Sequence, residues 1–191
     1  MEIIPVLTLD KRIDTKEQSE LADRLEGIES DKTVYILDLH GINKDKPNLC
    51  VYQKLSRDFD LWIDSGPRNL GDVVDNFLAG ASAVTLRDNT WKNINIPGIR
   101  EVSENKIYLD LNSKIIDGLN YYDIDGLVNF KQRNDVEKDA DFSYSLKKIS
   151  VKNNIFSYET DIKNLTYWKA LGINKLLVDF DKLEEFERYG D

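Results

Sequence analysis

The sequence has few of the residues that build covalent or metal-linked scaffolds. Its 191 residues include one cysteine, one histidine and one methionine. The lone Cys50 excludes an intrachain disulfide, and one histidine with one cysteine excludes the usual zinc clusters. We expect Cys50 to pack as a small apolar residue. We expect no cofactor, although carboxylates alone could hold a metal ion.

Long apolar runs and positive charge are also scarce. No segment approaches the roughly 18 apolar residues of a membrane-spanning helix, and residues 1–5 lack the features of a signal peptide. The chain has 35 acidic and 26 basic residues and a formal charge of −9, which repels nucleic acids and anionic membranes. We therefore expect a cytoplasmic protein with a small-molecule ligand and neither a nucleic-acid nor a membrane partner. The oligomeric state stays open.

Short apolar runs alternate with amphipathic stretches along the whole chain. This alternation is typical of α/β proteins, and no linker or low-complexity segment interrupts it, which predicts a single domain over residues 1–191. The predicted strands are 3–9, 33–39, 59–64, 83–86, 107–111, 126–130, 154–158 and 175–178.

Helical periodicity is clearest in residues 15–28 and 69–79. The first has Thr15 and Glu17 near its start, and the second stops at Gly80, where a left-handed cap fits. Weaker patterns predict helices at 48–56, 139–149, 162–171 and 182–188. Proline and glycine residues interrupt 90–105 and 112–125, so we predict no full-length helix there.

Eight strands with intervening helices are compatible with an open α/β sheet or a closed barrel. An internal repeat favours the barrel: a helix opens at Asn69 and ends at Gly80, and another opens at Asn164 and ends at Gly172. These positions recur after 95 and 92 residues, close to half of the chain. We predict a small (βα)8 TIM barrel of two half-barrels, with some helices shortened or missing because such barrels usually need about 250 residues.

Four segments of the sequence give a family likeness. They are Ile3-Ile4-Pro5-Val6-Leu7, residues 34–42 around Asp38-Leu39-His40-Gly41, residues 64–70 followed by Ala79-Gly80-Ala81, and Tyr108-Leu109-Asp110. In this order they resemble the histidine-biosynthesis barrels, namely ProFAR isomerase and the cyclase subunit of imidazole glycerol phosphate synthase, which are ribulose-phosphate-binding barrels. The likeness is greatest to archaeal relatives of ProFAR isomerase.

The resemblance implies an acid and a base at the ends of the first and fifth strands. The acid of the fifth strand matches Asp110, whereas the position of the first-strand acid is occupied by Thr8. Asp10 follows two residues later and, on an extended strand, points to the same face as Thr8. Asp110 and Asp10 are therefore the catalytic candidates.

The resemblance also implies phosphate-binding loops after the third and seventh strands. Here Pro67 removes an amide donor from the first loop and Asp64 adds negative charge. The second loop, residues 158–161, has two carboxylates and no glycine. The histidine-pathway reaction itself is therefore not expected.

Most predicted strands end in an acidic or amide residue, and the ends of barrel strands converge on one face. The candidate binding residues are Asp38, Asp64, Arg68, Arg87, Asn129 and Glu159. The alternative for the acids is helix capping, and for the arginines it is surface ion pairing.

We predict a divergent relative of ProFAR isomerase that acts on or binds a phosphorylated or ribosyl-like metabolite through isomerase- or lyase-type acid–base chemistry. Two alternatives stay open. The barrel could be a non-catalytic module for ligand binding or assembly, or an enzyme that uses a carboxylate-bound metal.

Overall fold

The eight strands follow one another around a closed parallel barrel in the order β1 to β8, which confirms the predicted (βα)8 barrel over the open sheet. This computed structural model describes residues 1–25, 27–29, 32–111 and 123–190. The strands are β1 Glu2–Leu9, β2 Thr33–Asp38, β3 Asp60–Asp64, β4 Ala81–Leu86, β5 Lys106–Asp110, β6 Gly126–Asn129, β7 Ile155–Tyr158 and β8 Lys175–Asp179. All eight lie where apolar runs predict them, with ends that differ by at most two residues.

The helices are short. Those in the described residues are α1 Thr15–Arg24, α2 Leu39–Lys44, α3 Leu49–Leu55, α4 Leu70–Leu78, α5 Ile96–Val102, α6 Arg133–Lys138, α7 Ala140–Ser150, α8 Leu165–Ala170 and α9 Leu183–Gly190. Single 3₁₀ turns at Ile162–Asn164 and Phe180–Lys182 precede α8 and α9. None of the helices in the described ranges is long and apolar enough to cross a membrane.

Helix α1 begins at Thr15 as predicted and ends at Arg24, four residues earlier than predicted. Asp14, rather than Thr15, is the N-cap: its side chain accepts from the amide of Glu17, and the Glu17 side chain accepts from the amide of Asp14. This reciprocal pair is a capping box. The helix ends at Arg24, and a turn in which the Ile28 amide donates to the Leu25 carbonyl continues the apolar pattern.

Three helices, α2, α5 and α6, form where no helix was predicted, and α5 is a short helix within the interrupted segment 90–105. Helix α2 begins directly after β2 because the Asp38 side chain caps it by accepting from the amide of Gly41 at 3.0 Å. Helix α5 contains Pro97, which lies in the first turn, where proline starts a helix rather than breaking it. The interrupted segment 112–125 falls almost entirely outside the described residues.

The contacts divide the chain into two compact units, one formed by Leu7–Ile107 and the other by Met1–Val6 with Tyr108–Asp191. In each unit the strand residues are buried on both faces, as expected for parallel strands covered by helices. Trp62 and Trp168 are the largest fully buried side chains of the two units, whereas Cys50, predicted to pack inside, is exposed because it lies on the outer side of α3.

The same tight turn recurs in both units. Gly80 follows α4 with φ +102°, and Gly172 follows α8 with φ +79°, so both adopt the left-handed conformation expected for the residue after a helix. A Cβ on Gly80 would lie 2.3 Å from the Ser56 hydroxyl, and one on Gly172 would lie 2.9 Å from the Ser150 hydroxyl. This recurrence agrees with the predicted twofold repeat.

We expect Gly80→Ala to destabilise the protein by roughly 2 to 4 kcal/mol, because alanine would adopt an unfavourable positive φ and collide with Ser56. Chemical denaturation of the variant measures the loss. The control is Gly27→Ala, whose added Cβ meets nothing within 4 Å. The double variant Ser56→Gly with Gly80→Ala should recover part of the lost stability, and an equal loss in the single and double variants would contradict the steric explanation.

Candidate functional site

Asp64 is the centre of a buried polar network in the unit 7–107. It lies at the end of β3, is fully buried, and accepts from the Tyr35 hydroxyl at 2.8 Å. The Tyr35 oxygen also lies 3.1 Å from the Thr85 hydroxyl, which accepts from the Trp62 indole at 2.9 Å. The network therefore crosses three adjacent strands.

Tyr35 is a fixed donor within this network. Burial, and then the negative charge of Asp64, raise the pKa of Tyr35 well above its ordinary value. The phenol therefore stays protonated over the working pH range and donates to Asp64.

Arg87, one residue beyond β4, neutralises Asp64. Its Nε lies 2.9 Å and 3.1 Å from the two carboxylate oxygens, and its Nη2 lies 2.5 Å from Oδ2. Because this ion pair is almost completely buried, each partner holds the other in place. The structure thus joins two of the predicted binding residues to each other.

Asp38 is also fully buried, and protein donors surround its two oxygens. Oδ1 accepts from the amide of Gly41 and from the Asn48 side chain, while Oδ2 accepts from the amide of Asn48 at 2.7 Å and from the Tyr52 hydroxyl. Asp38 is three residues beyond Tyr35 on the same strand and so points to the opposite face of the sheet. There it connects β2 with α2 and α3.

Arg68, in the loop after β3, is held by that loop and by the end of α2. Its guanidinium donates to Asp45 at 2.7 Å and to the carbonyls of Ile42 and Gly66 at 2.9 Å and 3.2 Å. Its amide donates to Asp72 at 2.7 Å. Protein acceptors therefore already occupy the hydrogen-bond donors of Arg68 that a bound phosphate would need.

The loop after β7 is closed in a similar way in the other unit. Glu159 is fully buried, and one of its oxygens accepts from the amides of Thr160 and Asp161 at 2.7 Å and 2.9 Å. The other accepts from the Trp168 indole at 2.7 Å. The Glu159 carboxylate therefore occupies the amide donors of the loop where the resemblance places a phosphate.

Asn129 shares the sheet face of Glu159. It is paired with Ser157, its side chain donates to the Ser157 hydroxyl at 3.2 Å, and it also bonds the backbone of Lys131. Since Glu159 follows Ser157 by two residues and contacts α8, this face of the strands is the one covered by helices.

Asp110 lies on the opposite face, and the strand register shows which residues accompany it. Asp110 is paired with Val128, Val128 with Phe156, and Phe156 with Lys175. Side chains of paired residues share a face, as do residues two or four apart on one strand. Asp110 at the end of β5 therefore shares its face with Tyr158 at the end of β7 and Asp179 at the end of β8.

Tyr158 and Asp179 form a hydrogen-bonded pair on this face. The Tyr158 hydroxyl donates to Asp179 at 2.7 Å, and its ring lies 6.0 Å from that of Phe130. Burial, and then the hydrogen bond and charge of Asp179, raise the pKa of Tyr158 well above its ordinary value. The half-buried face therefore combines a lasting phenolic donor with two carboxylates, which we call the Asp110 face.

Of the site residues predicted from sequence, the structure pairs Asp64 with Arg87. Asp10 is exposed directly after β1, and Asp38, Asn129 and Glu159 lie toward the helices. Sequence reasoning did not select Tyr158 or Asp179, which share the face of Asp110. The available signal was that both residues end a strand on the face of Asp110.

Within the described part of the chain, no three Asp, Glu, His or Cys side chains are grouped so that they could hold a metal ion. The geometry of these residues gives the carboxylate–metal hypothesis no support.

No protein-family model and no curated protein sequence matches the chain. Solved structures do match. N-acetylneuraminate lyase from Mycoplasma synoviae aligns with a TM-score of 0.62 and 9% identity, over 98% of this chain and 76% of the lyase. A candidate dihydrodipicolinate synthetase from Pseudomonas aeruginosa aligns with a TM-score of 0.60 and 11% identity, over 94% of this chain and 70% of that protein.

Thiamine phosphate pyrophosphorylase from Bacteroides thetaiotaomicron is a third structure similar to this chain, with a TM-score of 0.55, 12% identity and coverage of 97% and 86%. At such low identity these similarities show the fold alone. They support a relationship to TIM barrels in general and do not single out ProFAR isomerase. The chain is a TIM barrel that resembles barrels named for lyase and pyrophosphorylase activities.

Proposed function

We propose that the protein binds a small metabolite at the Asp110 face and performs acid–base chemistry on it. Asp110 is the proton-transferring group, and the Tyr158 hydroxyl turns its single proton from Asp179 toward an oxygen of the ligand or of the reacting group. Asp179 positions the phenol. The observation that supports this most directly is the shared face of Asp110, Tyr158 and Asp179 at three strand ends, where TIM-barrel enzymes have their active sites.

The chemistry follows from the types of group that meet there. Isomerase- and lyase-type reactions need one group that removes a proton and another that donates one. A carboxylate can remove a proton, whereas a tyrosine with a raised pKa keeps its own and donates a hydrogen bond to a developing negative charge. The Asp110 face contains both kinds of group.

The ligand that suits this face is ribosyl-like, with several hydroxyl groups. Carboxylates accept hydrogen bonds from hydroxyls, and the phenol can donate one. The loops after β3 and β7 offer little to a phosphate, because Arg68 already bonds Asp45 and the carbonyls of Ile42 and Gly66, and Glu159 occupies the amides of the second loop. A phosphorylated metabolite would need its phosphate held elsewhere.

The structural neighbours agree with a small-metabolite role. Their names describe a lyase for N-acetylneuraminate and a pyrophosphorylase for thiamine phosphate. The departures from ProFAR isomerase at Thr8 and at the two phosphate loops support a reaction outside the histidine pathway.

A non-catalytic binding module is the second candidate. Thr8 replaces the first-strand acid of the resembling family, and Asp64 and Arg87 neutralise each other. A barrel of this kind would bind its ligand and leave it unchanged.

Asp110→Asn separates the two functions. A panel of ribose, ribonucleosides and ribose 5-phosphate is first screened for thermal stabilisation of the protein, and conversion of each binder is followed by mass spectrometry or NMR. We expect the variant to keep binding and to lose conversion about 100-fold or more, because a proton-transferring group typically contributes at least that factor.

The matched control for this experiment is Asp58→Asn, which removes an exposed carboxylate in the turn between α3 and β3. It should convert the ligand at the wild-type rate. Full conversion by Asp110→Asn would refute the catalytic role of Asp110, and binding by the wild type without conversion would favour the binding module.

Tyr158→Phe should weaken the pH dependence of stability in the alkaline range. An unfolded tyrosine loses its proton near pH 10, whereas Tyr158 keeps it to a higher pH, so its stabilising contribution is full below about pH 10 and is lost as the pH rises through the raised pKa. Denaturant titrations between pH 8 and pH 11 measure the free energy of unfolding at each pH. This free energy should fall less steeply with pH in the variant, and the difference in slope should correspond to at most one proton released on unfolding.

Tyr144→Phe is the control for this measurement, because Tyr144 is exposed on α7. An equal change of slope in both variants, or an unchanged slope in Tyr158→Phe, would show that the hydrogen bond to Asp179 does not hold the phenolic proton.

A further inference from the structure

A separate cleft lies between two loops of the unit 7–107. One wall is the segment that joins β1 to α1, with Arg12 and Ile13, and the other is the segment from Lys46 to the first turn of α3. The cleft has a volume of about 590 Å³, which is within the range of small-molecule sites. Its lining residues all belong to the unit 7–107, whereas Asp110, Tyr158 and Asp179 belong to the other unit.

Asn48 holds the two walls together. Its side-chain oxygen accepts from the amide of Ile13 at 2.9 Å, and its side-chain nitrogen donates to the carbonyl of Lys11 at 3.1 Å. The backbone amide and side chain of Asn48 also donate to Asp38, at 2.7 Å and 3.1 Å. The spacing of the two loops is therefore fixed by a buried network before any ligand binds.

Asn48 makes these contacts instead of a local one. It precedes the first residue of α3, a position where asparagine usually bonds an amide of its own helix, yet it makes no such bond. Its hydrogen bonds join segments that are 35 and 37 residues apart in sequence. This arrangement gives the cleft rigid walls, and rigid walls reduce the entropic cost of ligand binding.

The charge of the cleft is the reverse of that of the whole protein. Arg12 and Lys46 line it, and neither has an ion-pair partner among the described residues. Of the acids near these loops, Glu17 pairs with Lys11 and Asp45 pairs with Arg68, and Asp10 is not among the residues that line the cleft. Asp14, the carboxylate of the lining, accepts from the amide of Glu17 at 2.9 Å.

An apolar surface completes the cleft. Ile13, Pro47 and Leu49 line it together with the two cations. A ligand that matches both parts has a compact negative group and an apolar or ring-shaped remainder. Arginine binds phosphate oxygens through two parallel hydrogen bonds, and lysine adds a point charge.

We propose that this cleft binds a small organic phosphate monoester. Its phosphate contacts Arg12 and Lys46, and its organic part packs against Ile13, Pro47 and Leu49. The assignment does not depend on the function of the Asp110 face.

Cys50 provides a direct measurement. It lines the cleft, is exposed, and is the one cysteine of the sequence. The neutral reagent N-ethylmaleimide therefore labels a single position, and intact-mass spectrometry gives the rate. We expect phenyl phosphate to slow labelling in a saturable manner, whereas sodium chloride at equal ionic strength does not.

Variants locate the ligand. Arg12→Gln and Lys46→Gln should each raise the phenyl phosphate concentration needed for half protection by about tenfold, as expected for loss of a charge-assisted hydrogen bond. Arg57→Gln, an exposed cation outside the cleft, should leave it unchanged.

Three results would overturn the proposal. The first is protection no greater than that given by sodium chloride, and the second is equal protection in the double variant that lacks both Arg12 and Lys46. The third is protection by inorganic phosphate at the same concentrations as by phenyl phosphate, which would exclude a contribution from the apolar wall.

Discussion

The structure depends on hydrogen bonds and ion pairs to the carboxylates that are buried at the carboxyl ends of its strands. Asp38, Asp64 and Glu159 are completely removed from solvent, and an unpaired charge in such a place costs several kcal/mol, on the order of the whole stability of a small domain. Each therefore has a full set of donors from its own surroundings. This requirement explains why α2 begins directly after β2, why Arg87 is held at β4, and why the loop after β7 closes on its own glutamate.

The same requirement separates structural acids from those suited to chemistry. A carboxylate surrounded by fixed donors holds the fold, and moving a proton onto it would break several hydrogen bonds at once. Asp110 and Asp179 keep partial contact with solvent at their strand ends, and Asp179 has a tyrosine as partner. In the unit that contains Tyr108–Asp191, the groups proposed for acid–base chemistry and the buried, hydrogen-bonded Glu159 thus lie on opposite faces of the strands.

Sequence reasoning predicted the strands well because each is a short apolar run buried on both faces. It was less successful where a side chain chooses between local and distant partners. The Asp38 side chain caps α2 and also accepts hydrogen bonds from Asn48, and neither contact produces a periodic pattern in the sequence. The pairing of Tyr158 with Asp179 depends on strand register, which no single segment encodes. Whether a strand-end acid faces the helices or the opposite side changes with one residue, so the apolar pattern of the sequence does not show that Glu159 and Asp110 lie on opposite faces.

The contact between Gly80 and Ser56, and its counterpart between Gly172 and Ser150, has an evolutionary consequence. Each glycine lies so close to its serine that a Cβ added to the glycine would collide with the serine hydroxyl. The two positions of a pair are thus expected to change together, with the serine shrinking first and the glycine following. Among diverging copies of this chain, small residues should persist at all four places long after the surface loops have lost their resemblance.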